Sequence, residues 1–173
     1  FGTIVQDYAL PVAAVIAGMT LARFAWIFGS DALLRLASRA GWRSAEPLGL
    51  LDPDLPERSW LRVHVAEAGQ GEPLVLLHGW PQHWWCWRLV VPLLSDRYRL
   101  VMPDLRGHGW TAAPRDGYDK EQLATDLLGL LDALELPQVG LVGHDWGGWT
   151  GFLAALRAPE RIRALLALGI VHP

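Results

Sequence analysis

Apolar residues recur along this chain in two different periods, and the alternation between them predicts its architecture. Leu61, Val63 and Val65 alternate with Arg62 and His64, the two-residue period of a strand with one face in solvent, and Gly69-Gln70-Gly71 then turns the chain. Residues 74–77, 98–102, 139–142 and 164–168 are short, largely apolar runs that read as strands buried on both faces. Between them, residues 84–94, 120–134 and 148–157 carry helical spacing. Strands separated by helices need crossover connections, so the predicted class is α/β, a mostly parallel sheet with helices on both faces. Ligands of such sheets bind beyond the carboxyl ends of the strands, which points to the loops after residues 77, 102 and 142.

Upstream, the pattern differs. Residues 9–22 carry no charge, and the apolar character resumes after Arg23 as far as Phe28. A spanning helix needs about 20 apolar residues, and an arginine within the hydrocarbon costs about 2.5–3.5 kcal/mol. Two readings of residues 9–28 therefore stand, membrane contact or a helix packed on protein. Ser30-Asp31 opens a short amphipathic helix, with Leu33, Leu34 and Ala37 on one face and Gly41 as its stop. Pro47, Pro53 and Pro56 mark a linker over residues 43–58. The expected division is an N-terminal extension over 1–55 and the N-terminal part of a larger domain over 56–173. Val171-His172-Pro173 follows directly on an apolar run, so the chain is expected to be a piece of a longer protein, its fold incomplete.

Composition narrows the function. With 173 residues, 51% hydrophobic and 19% charged, the chain can bury a core, which excludes disordered and collagen-like classes. Fifteen Lys and Arg against 18 Asp and Glu give a net charge of −3 with no basic run, which argues against nucleic acid as a partner. Cys86 is the only cysteine, so there is no internal disulfide and no CxxC or zinc-binding pair. The expectation is a cytoplasmic protein without metal or cofactor, with membrane association through residues 9–28 as the open alternative.

Three loops carry candidate chemistry. Residues 143–148 read Gly143-His144-Asp145-Trp146-Gly147-Gly148 between a strand and a helix, the pattern of a nucleophile elbow, whose flanking glycines remove side chains that would clash in a sharp turn. Asp145 at its centre has two readings, a nucleophile or an ordinary helix N-cap. The run 74–77 ends in His78-Gly79-Trp80-Pro81, where Gly79 lets the backbone approach a ligand. The N–H groups of Trp80 and Trp146 are then expected to form an oxyanion hole, against the plainer alternative of a tight turn. The third loop runs from Asp104 to Thr111, where the glycines and the Asp104/Arg106 pair are expected to fix loop shape and His108 is read as a surface group.

Together these motifs resemble the α/β-hydrolase superfamily, and within it the epoxide hydrolase-like members. The patterns H-G-x-P, D-x-R-G-x-G-x-S/T and G-H-D-W-G-G stand at residues 78–81, 104–111 and 143–148, in the family's order. The likeness covers about residues 58–173. It departs at the end, where the family's Asn-x-Pro-His-Pro is reduced to His172-Pro173. The resemblance implies an α/β-hydrolase fold whose cap and C-terminal half are absent from this chain. It also implies Asp145 as nucleophile, with His78, Gly79, Pro81, Gly143, His144 and Gly147 as supporting motif residues.

An aspartate nucleophile carries its own consequences. A carboxylate is ionised at neutral pH and needs no base for its first attack, so the expected target is an sp3 carbon. Displacement there leaves an alkyl ester on Asp145, which water activated by a histidine hydrolyses. Family epoxide hydrolases protonate the opening ring with cap tyrosines, and neither Tyr98 nor Tyr118 is well placed for that task. Dehalogenases of the family often carry Asn where this chain has Trp80, so the resemblance favours epoxide hydrolysis with haloalkane dehalogenation as the alternative. Ten tryptophans, seven of them in or near these loops, suggest a small apolar substrate. The only histidine after Asp145 is His172, which is read as structural, so the chain alone is expected to be alkylated at most once and not to turn over. A catalytically silent relative acting as a binding module is the reading from a different class.

Overall fold

A computed structural model describes residues 61–170 and, for the backbone alone, residues 43–44 and 48–49. Its strands are β1 (Arg43–Ser44), β2 (Leu48–Gly49), β3 (Arg62–Val63), β4 (Val65–Ala68), β5 (Glu72–Leu77), β6 (Tyr98–Pro103), β7 (Val139–His144) and β8 (Ile162–Leu168). The helices are α1 (Val91–Leu94), α2 (Lys120–Ala133) and α3 (Trp146–Arg157), with 3-10 turns at Trp84–Leu89 and Pro159–Arg161. Six strands form one sheet in the order β1-β4-β6-β5-β7-β8, and β2 pairs with β3 separately. The ladders β6–β5, β5–β7 and β7–β8 are parallel, while β1–β4 and β4–β6 are antiparallel. The sheet is thus mixed, with a parallel centre.

The two-residue strand period sorts the core into two layers. Val65, Val75, Leu77, Val101, Val139 and Leu141 face one side, where Leu123, Ala124, Leu127, Leu130 and Leu131 of α2 and Ala154 of α3 cover them. Ala66, Leu76, Leu100, Met102 and Val142 face the other, against Trp87, Val90, Val91 and Leu94. Asp119 caps α2 by accepting from the Gln122 N–H at 2.9 Å. The Arg157 guanidinium reaches back from α3 to the Glu121 carbonyl and the Thr125 hydroxyl, both at 2.9 Å, and so ties the two helices on that face together.

The structure amends three details of the pattern. The helical run at 84–94 divides into a 3-10 turn and a four-residue helix, because Pro92 in the first turn of α1 has no N–H to continue the ladder. His64, expected on the solvent side, is only 8% exposed. Residues 43–44 and 48–49, expected in a linker, pair with β4 and β3, since a two-residue ladder uses backbone groups and leaves no hydrophobic period to read. Among the described residues no helix is long and apolar enough to cross a membrane. Residues 9–28, the helix expected from Ser30 and the domain boundary near residue 56 lie outside them.

Candidate active site

Because β6, β5 and β7 are parallel neighbours, their carboxyl ends lie side by side, and the three loops leaving them meet there. Asp145, between β7 and α3, stands at φ 53° and ψ −122°. Few non-glycine residues adopt this conformation, and it costs about 1–3 kcal/mol. The main chain holds it: the Asp145 N–H donates to the Leu168 carbonyl at 2.9 Å, and its own carbonyl accepts from the Trp149 N–H at 3.1 Å. Asp145 occupies the N-cap position of α3, but its side chain makes no capping bond there. The exposed carboxylate instead accepts from the Trp80 N–H, 2.9 Å from Oδ1.

Close main-chain approach explains the glycines. A Cβ on Gly147 would overlap the Leu77 carbonyl and lie 2.6 Å from that of His78, so only glycine lets α3 start against β5. A Cβ on Gly79 would stand 2.7 Å from Asp145 Cβ and 2.9 Å from its Oδ1. Gly143 sits opposite Gly147, where the same crowding would occur. Trp146 is the first residue of α3, so its N–H is one of the first-turn donors that an α-helix leaves without an intrahelical acceptor.

The loop after β5 is fixed through histidines. The Leu105 N–H donates to His78 Nε2 at 2.9 Å, and an N–H can only donate, so the hydrogen of this neutral ring sits on Nδ1, which donates to the Gly79 carbonyl at 3.0 Å. Burial is the main cause that pushes the His78 pKa down to about 3, with His108, His144 and His83 acting in the same direction. The Gly79 N–H donates to His144 Nε2 at 3.3 Å, and the Gln82 N–H closes a turn onto the Gly79 carbonyl at 2.8 Å. The Trp80–Pro81 peptide is cis.

Asp104 organises the third loop. Its buried carboxylate accepts from His64 Nδ1 at 3.0 Å, the Trp84 N–H at 2.7 Å and the Trp110 N–H at 3.1 Å. Arg106 forms a two-pronged pair with Asp126 of α2, both bonds at 2.7 Å, and this raises the guanidinium pKa further. His108 is half-buried, with Nδ1 3.0 Å from the Arg106 carbonyl and its ring edge-on to His78 at 5.2 Å. The sequence reading had no signal for the His64–Asp104 pair, or for Asp126, because each partner lies on a distant element. Of the tryptophans near the loops, Trp87 is core, whereas Trp80 and Trp110 are 67% and 63% exposed. Tyr98 begins β6, at the far end of the sheet, and the Tyr118 hydroxyl donates to the Pro114 carbonyl at 2.7 Å. Among the described residues no three metal-ligating side chains converge. His172 lies outside them.

Comparison with known proteins places this geometry. Residues 72–173 match the family model described as alpha/beta hydrolase fold. The chain is 44% identical over 110 residues to a soluble epoxide hydrolase of Corynebacterium sp. (strain C12), a match covering 64% of this chain and 38% of the relative. It is 37% identical over 142 residues to epoxide hydrolase 4 of Homo sapiens, covering 76% of this chain and 39% of that protein. The crystal structure of an epoxide hydrolase from Vigna radiata superposes with a TM-score of 0.67 at 36% identity, over 79% of this chain and 42% of the other. The matched region thus spans about two fifths of the length of these curated relatives. The elbow, the parallel sheet that carries it and the matched residues establish that the chain belongs to the alpha/beta hydrolase fold family.

Proposed function

We propose that Asp145 is the nucleophile of an epoxide hydrolase acting on small apolar epoxides. The observation that carries the reading is the hydrogen bond from the Trp80 N–H to Oδ1 of an exposed, left-handed Asp145. The likeness to proteins named epoxide hydrolases supports the choice of substrate. In the first step an Asp145 oxygen attacks an epoxide carbon, a carbon–oxygen bond forms, and the ring bond breaks with its electron pair passing to the ring oxygen, which takes up a proton. In the second, water attacks Cγ of the resulting ester. Negative charge develops on the carbonyl oxygen that Trp80 and Trp146 N–H groups stabilise, and the diol leaves with the carboxylate restored. Among the described residues Tyr98 stands at the far end of the sheet and the Tyr118 hydroxyl is engaged by the Pro114 carbonyl, so neither is placed to protonate the ring oxygen. The exposed indoles of Trp80 and Trp110 favour an apolar substrate body.

The test is covalent trapping. The full-length protein is exposed briefly to styrene oxide and, separately, to 1-bromobutane, then analysed by intact mass and peptide mapping. The expected result is one adduct on Asp145 from the epoxide and none in Asp145→Asn. An adduct from the bromide alone would transfer the reading to a dehalogenase. Unmodified Asp145 in folded protein would refute the nucleophile.

A further inference from the structure

We propose that His78 is a positioning residue that sets the strength of the Trp80 donor through the peptide unit between Gly79 and Trp80. The inference rests on the reading of the Trp80 N–H as an oxyanion donor. One planar peptide group carries both ends of the relay. Its carbonyl, on Gly79, accepts from His78 Nδ1 at 3.0 Å, and its N–H, on Trp80, donates to Asp145 Oδ1 at 2.9 Å. A donor placed on the carbonyl draws electron density away from the nitrogen, so the N–H becomes a stronger donor, and the two bonds reinforce each other. The same bond, with the Gln82 N–H on the same oxygen, holds the peptide plane so that the N–H aims at Asp145.

His78 suits this role because its tautomer is dictated from behind. The Leu105 N–H occupies Nε2, so Nδ1 must carry the hydrogen. The ring is wholly buried, edge-on to His108, with Asp104 Oδ1 4.0 Å from Nε2. The third loop therefore reaches the nucleophile through one imidazole: Leu105 N–H, His78, the Gly79–Trp80 peptide, Asp145. A side chain that only filled space would need neither nitrogen.

Two measurements test the relay on the 173-residue chain. In the wild type, long-range 15N–1H correlation of the His78 ring at neutral pH should show a protonated Nδ1 and a bare Nε2. The opposite tautomer, or an imidazolium, would overturn the proposal without any variant. The second measurement compares His78→Asn, whose amide N–H can replace Nδ1–H, with His78→Gln, whose amide oxygen can replace Nε2. The Trp80 amide proton should keep its downfield position in His78→Asn. In His78→Gln it should move upfield and exchange about tenfold faster, while the Leu105 amide should behave in the reverse sense. Equal displacement of the Trp80 signal in both variants, or none in His78→Gln, would reduce His78 to packing. Because the signal is read without substrate, a failure of the relay is distinct from a failure of Asp145 to form an adduct.

Discussion

Acid should destabilise this protein through His78 in a way that one substitution removes. Burial takes the ring from an ordinary pKa of 6.5 down to about 3, and both of its nitrogens are engaged, so the folded state refuses a proton that the unfolded chain accepts. A base whose folded pKa is depressed contributes no pH dependence above 6.5, where both states are neutral. As pH falls below that value the unfolded state binds the proton first, and stability drops by about 1.4 kcal/mol per pH unit. At about pH 5 the loss from this ring alone reaches about 2 kcal/mol. Urea unfolding followed by tryptophan fluorescence at about pH 7.5 and about pH 5 measures it, with His78→Asn as the reference that does not titrate in this range. The variant costs about 1–3 kcal/mol at the higher pH, because the Leu105 N–H loses its acceptor. Its further loss on acidification should be about 2 kcal/mol smaller than that of the wild type, since every other histidine and carboxylate contributes equally to both. Equal losses in the two proteins would refute the argument.

Two further outcomes are expected at the site. Asp104→Ala leaves the His64 ring and the Trp84 and Trp110 N–H groups without their shared acceptor, so it should cost about 2–4 kcal/mol, read as a lower urea midpoint with an unchanged slope. A cost below about 1 kcal/mol would mean that water replaces the carboxylate there. Gly79→Ala places a methyl 2.7 Å from Asp145 Cβ and displaces its carboxylate from the Trp80 N–H. Styrene oxide adduct formation should slow about 10²-fold while the far-UV circular dichroism stays unchanged. A rate within about threefold of the wild type would show that the carboxylate needs no such placement.

Much of the fold was legible because it depends on short-range period. The runs at Leu74–Leu77 and Val139–Val142 are apolar on both faces, and the layers that cover them come from the helices predicted between them. The meeting of the three loops was legible for a topological reason, since parallel strands bring their carboxyl ends together. What escaped notice is long-range and polar. His64 reads as a solvent-facing residue until Asp104, 40 positions away, supplies the partner that permits its burial. Arg106 reads as a loop residue until α2 packs and presents Asp126. The ladders at Arg43–Ser44 and Leu48–Gly49 use only backbone groups, to which side-chain patterns are blind. Even odds for Asp145 between cap and nucleophile were all that the glycine spacing could give, and the Trp80 N–H decided the geometry.

The elbow holds the main chain of its central residue through the Leu168 carbonyl, the Trp149 N–H and the clearance at Gly147, none of which touches the side chain. These main-chain contacts do not depend on which side chain the elbow displays. An aspartate there is suited to displacement at saturated carbon, whereas a serine or cysteine in the same cradle would face the same Trp80 N–H and be suited to acyl transfer. The reaction type is in this sense a replaceable part mounted on a fixed chassis. Changing the chemistry would ask for a new side chain at position 145 and a matching proton carrier, with no revision of the sheet beneath.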